Sequence, residues 1–184
     1  NSFLVNGGVA GTGAAVNGTV NTNVIGGTTS ARLTDATAKA AGADVAVRAD
    51  DATNSGALVG TVSVAGEGAA LGTGSSINLI NRTTEAAAER STITAKNAAV
   101  AARSGQGIAA LTMGVSYADE FGAVNSNNFV RMEQHTSAVL SDSKVDVSGL
   151  RITADNLVRL HANALTKGLA GYGVGAGVGT AVLL

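Results

Sequence analysis

Apolar and polar positions alternate with a period of two along several stretches of the chain. Val45, Val47 and Ala49 interleave with Asp44, Ala46 and Arg48, and Val145 and Val147 interleave with Lys144, Asp146 and Ser148. Ile77 and Leu79 flank Asn78 in the same way, and 92–95 reads TITA. A period of two puts one set of side chains on each face of a half-buried strand, and β-branched residues fit that pleated surface. Asn-Gly, Gly-Gly and Asn-Ser-Gly runs at 17–18, 26–27 and 54–56, with Asn-rich 125–128, read as turns between strands. Segment 153–168 reads differently when taken alone. Leu157, Leu160, His161, Ala164 and Leu165 share a helical face, Thr153 or Asp155 can cap its start, and Gly168 can end it. EAAAER at 85–90 and ATAKAA at 36–41 also carry good helix formers.

Internal repetition decides between the two. Segment 11–31, GTGAAVNGTVNTNVIGGTTSA, returns at 66–86 as GEGAALGTGSSINLINRTTEA, and a weaker third copy contains Gly122, Ala123, Thr136 and Ala138. The second half of each unit repeats too: DVAVRADDATNSG at 44–56, NAAVAARSGQG at 97–107 and NLVRLHANALTKG at 156–168. Equivalent slots share a conformation, and the first of these three is a poor helix and a good strand. The expectation is therefore an all-β chain in units 7–59, 60–114 and 115–170, with a partial unit at 171–184, as a window of a longer protein. Self-similarity at such a period signals stacked units that cannot bury their apolar faces alone. The fold expected is a parallel β-solenoid, a right-handed β-helix with roughly twenty residues per coil. An α+β array with short helices is the alternative. The third copy, with Phe121, Phe129, Arg131 and Met132 where small residues are expected, reads as bulged.

Composition narrows the core. The chain has 25 glycines, 3% aromatic residues and no proline. So few large side chains call for a thin interior filled by Ala, Val and an occasional Leu. The absence of proline suits a backbone whose N–H groups are nearly all committed to ladders. With no cysteine and a net charge of −1, a disulfide framework, a Cys-based metal site and a polyanion footprint are not expected. The uncharged run 168–184 is too short to span a membrane.

Candidate chemistry is sparse. His135 and His161 sit in no ligand pattern, and the acidic pairs Asp50-Asp51, Asp119-Glu120 and Asp142/Asp146 fall in different parts of the repeat. The expectation is no enzyme, no cofactor and no metal. Thr28-Thr29, Thr83-Thr84 and His135-Thr136 occupy one slot in three copies and should line up. Asn17 and Asn81 head N-x-Thr sequons. The last, incomplete copy lacks charge and proline, so an open strand there invites pairing with another chain. Val174, Val178, Val182 and Leu184 are its assembly residues.

Runs such as GTGAAV, GEGAAL and GVGAGV, followed by INLIN, TTEA, TITA and NAAVAA, resemble the repeats of very large bacterial surface proteins of the filamentous haemagglutinin and leukotoxin type. The resemblance implies a rigid extracellular stalk, filament or adhesin segment on a Gram-negative cell surface, serving adhesion or biofilm. Its implied partners are neighbouring repeats, copies of itself, or a host or matrix surface. A carbohydrate-binding or carbohydrate-cleaving β-helix is the alternative function, and an ice-binding surface built on the Thr rows is a third.

Overall fold

The computed structural model describes residues 2–183. Six strands account for nearly all of them: β1 (Ser2–Thr34), β2 (Thr37–Glu89), β3 (Thr92–Ala118), β4 (Phe121–Ser141), β5 (Lys144–Ala170) and β6 (Val174–Leu183). Every pairing is parallel, and the sheet runs β5-β3-β2-β4-β6 with β1 also on β2. Partners are repeat equivalents: Gly13 lies beside Gly68, Ala15 beside Ala70, Thr84 beside Thr136 and Val100 beside Ile152.

The longest strands bend. Ala65 and Ala70 of β2 pack in one cluster with Ala118 and Ala15, which requires the chain to fold back at 66–68. Gly68 sits there with φ +95, a conformation open to glycine and costly for other residues. The opposite corners fall at 35–36, 90–91 and 142–143, where Asp35, Arg90 and Asp142 all take left-handed backbone with φ of 50, 46 and 48. Two walls result. One holds 2–10, 37–65, 92–118 and 144–170; the other holds 11–34, 69–89, 121–141 and 174–183. Through β2 the sheet passes from wall to wall and comes round 311° about its axis, a nearly closed barrel. Where β5 and β6 meet, a Cβ on Gly175 would fall 2.5 Å from the Gly168 carbonyl oxygen, so only glycine lets the backbones approach so closely.

The interior is striped. Ala86, Ala88, Ile93, Val100 and Ala102 form one apolar cluster, and Ile80, Ile108, Ala110 and Val130 form another. Buried polar side chains lie around them, including Asn78, Gln106, Thr112 and Asn128. The Ala, Val and Leu interior expected from composition is thus only part of the core.

Several expectations are corrected. The right-handed β-helix, or β-solenoid, of twenty-residue coils is overturned, because the sheet forms a single near-closed barrel with strands of 10 to 53 residues. Asn17-Gly18, Gly26-Gly27, Asn54-Ser55-Gly56 and 125–128 lie inside strands, so they mark no corners. The α+β alternative fails too: 153–168, 85–90 and 36–41 lie largely or wholly in strands, and the described residues contain no helix. Ladder partners on both sides outweigh the helix propensity of Ala and Glu at 85–89. β4 pairs with β2 in unbroken register, while the irregularity falls between Ala40 and Asp44. A compact, nearly closed sheet also overturns the resemblance to filamentous haemagglutinin and leukotoxin repeats, and with it the rigid adhesin or filament segment and the carbohydrate-acting and ice-binding β-helix alternatives.

Candidate association surface

The ladder leaves open rows of backbone groups. Among the described residues, β1, β5 and β6 each pair with one neighbour only. All ten residues of β6 are exposed. Its inward positions are Gly175, Gly177, Gly179 and Ala181, set by their partners Gly122, Val124, Ser126 and Asn128. Val174, Val178 and Val182 therefore face outward, at 62%, 60% and 38% exposure. Leu184 lies outside the described residues.

Exposure of large apolar side chains follows the same division. Those more than half exposed lie on β1, β5 or β6, apart from Tyr172 at a corner; Phe3, Val9 and Val16 stand at 72%, 83% and 72%. On central strands, outward residues such as Met113 and Leu71 stay near 40% because ladder neighbours cover their flanks. A parallel sheet usually has both faces covered, and strands left bare at an edge pair readily. A shallow groove of about 370 Å³ crosses the outer wall between Val16, Leu71, Ala123 and Val178.

The charged groups do different work. Asp51 points inward and receives Arg82 Nε at 2.9 Å and Nη2 at 2.7 Å, with Gln106 Nε2 at 3.1 Å. The Arg82 hydrogen bonds hold its carboxyl below the ordinary carboxylate range against the opposing effect of burial. Asp50 faces outward beside Arg103, whose guanidinium lies 3.5 Å from Asp155. Asp119 and Glu120 occupy one corner and Asp142 the opposite one, so the acidic pairs are not brought together. Among the described residues no cluster of His, Asp and Glu could hold a metal, and His135 and His161 are exposed on separate strands. Thr28, Thr83 and His135 do lie side by side, as do Thr29, Thr84 and Thr136. The Asn17 side chain is buried and donates to the Val62 carbonyl at 3.2 Å, while Asn81 is exposed.

At the corner, Arg90 donates two hydrogen bonds to Asp35, at 2.7 and 2.8 Å, and this pairing lowers the Asp35 pKa. Both partners are more than half exposed, so water screens the pair. Arg90→Asn, which tolerates left-handed backbone, is expected to leave the thermal midpoint within about 2 °C of wild type. A larger drop in a calorimetric scan would show that the ion pair holds the corner.

Sequence reasoning missed the Asp51–Arg82 pair. The two residues are 31 apart and lie on facing walls. The alternation Arg82, Thr84, Ala86 and Ala88, all on one face, was the signal that Arg82 points inward.

A scan against protein-family models, a search of curated proteins and a search of solved structures each return no match for the chain.

Proposed function

We propose that the protein is an association module whose open sheet edges are covered by strands of a second copy of the chain. The observation that carries this is the confinement of strongly exposed large apolar side chains to β1, β5, β6 and one corner. A strand added in parallel would satisfy the unpaired backbone row and cover the flanks of those side chains, as the internal ladders do for Met113 and Leu71. The chain itself argues for a copy as the occupant, because each strand already takes as its neighbour a segment of like sequence in parallel.

Sedimentation velocity over a concentration series is the test. The wild type is expected to self-associate, and Val178→Lys to weaken association at least about tenfold, because a charged lysine on an edge strand opposes pairing with a further strand and removes the apolar surface that pairing would cover. Asn81→Lys, on the outer face of a central strand, is expected to change nothing. A wild type that stays monomeric at every concentration overturns the reading, as does equal association of the Val178 variant when circular dichroism shows it folded.

A further inference from the structure

We infer that association is head to tail, with residues 2–10 of one copy pairing in parallel with 162–170 of the other, and residues 14–23 pairing with 174–183. This rests on the reading above and specifies which edges meet and in what register.

The ladders supply the register. Ser2 pairs with Ala57, Ala57 with Ala110 and Ala110 with Ala162, so the next place in that row, beyond Ala162, suits Ser2 of a second copy. On the facing wall the row runs Ala14, Ala69, Phe121 and Val174, and its next place suits Ala14 of the copy. Both rows advance by the same number of strands, so one rigid placement of the second copy satisfies both contacts.

Charge points to the same half of the edge. Segments 2–10, 14–23, 162–170 and 174–183 contain one charged residue between them, Lys167, which would sit opposite Gly7. The charged parts of the edges, 144–159 on β5 and 39–51 on β2, would remain two strand spacings apart, about 9.6 Å, with room for water. Outward side chains then meet like with like. Val5 comes beside Leu165 and Val9 beside Leu169, all of them at least 40% exposed in the single chain.

The chain has no cysteine, so engineered cross-links have no background. Copies carrying Val5→Cys are mixed with copies carrying Leu165→Cys and oxidised mildly. Adjacent strands lie about 4.8 Å apart, within disulfide range, and a disulfide joining one copy of each kind is the expected main product. Val9→Cys mixed with Leu165→Cys is displaced by four residues, about 13 Å, and is expected to link at least tenfold less. If sedimentation shows association but Val5→Cys copies link mainly to each other, or both mixtures link equally, the head-to-tail register is overturned while association through the edges stands. If neither mixture links and the wild type is monomeric, the association reading falls as well.

Discussion

Arg82→Met is expected to destabilise the protein by about 3 kcal/mol at pH 7, because it leaves the Asp51 carboxylate buried without its cation. The Asp51 side chain is 5% exposed and that of Arg82 16%. Thr53 and Gln106 would remain as hydrogen-bond donors, but neither carries charge. The pH dependence gives the effect a signature. In the wild type the Asp51 pKa is lowered on folding, so the pair contributes its full stability above the unfolded carboxyl value, near 3.9. That contribution is lost as pH falls through the lower, folded value. Without Arg82, burial still pushes the carboxyl pKa upward, opposed only by the Thr53 and Gln106 hydrogen bonds. The deficit of the variant should therefore be largest at neutral pH and shrink below about pH 4. Urea denaturation at pH 7 and pH 3 checks this, and a deficit that is the same at both values would show that lost packing, not the charge, is responsible.

Gly68→Ala should be of similar size, about 3 kcal/mol, for a different reason. Gly68 holds φ +95 where β2 turns from one wall into the other, and a Cβ there would run into the backbone carbonyl of Gly13. Gly13 occupies the same corner of β1 with φ +88, yet nothing lies within 4 Å of where its Cβ would be. Gly13→Ala therefore carries the backbone strain without the collision. Comparing unfolding free energies of the two variants separates these contributions, and equal losses would show that strain alone sets the cost at Gly68.

Strand character was legible because it is local. The alternation at 44–49 and 144–148 needs no partner to be recognised, and the shared slot at 156–168 was enough to set aside a helix whose caps and apolar face looked sound. Pair identity was legible as well. Thr28 beside Thr83 beside His135 follows from the repeat, because parallel strands of like sequence gain most when like residues stack. The apolar, uncharged character of β6 could be read directly, and with it Val174, Val178, Val182 and Leu184 as assembly candidates, but not which way their side chains face. The exposed apolar edge on β1 could not, since Phe3, Val5 and Val9 belong to no repeat slot that a copy at 171–184 displays.

Corner positions show where local reading stops. Asn-Gly and Gly-Gly pairs carry a turn signature, yet a wide parallel sheet absorbs them, and Asn17 stays in strand because its amide finds the Val62 carbonyl across the interior. The corners at 35, 90 and 142 carry Asp, Arg and Asp, residues with no shared turn signature. The first two are held by backbone bonds to the neighbouring strand, Asp35 N–H to Glu89 O and Arg90 N–H to Ser141 O, both at 3.1 Å.

Three features are thus written in the residues alone: the chain is built of strands, repeat equivalents neighbour one another along the ladders, and one edge is uncharged and apolar. These follow from side-chain periodicity and from self-similarity, both written along the chain. The tertiary structure alone decided how far each strand runs before turning, which wall faces which, and that Asp51 meets Arg82 inside. Those contacts join residues across two walls, where no period in the sequence connects them, and their energy comes from burial and charge pairing that exist only once the sheet has come round on itself.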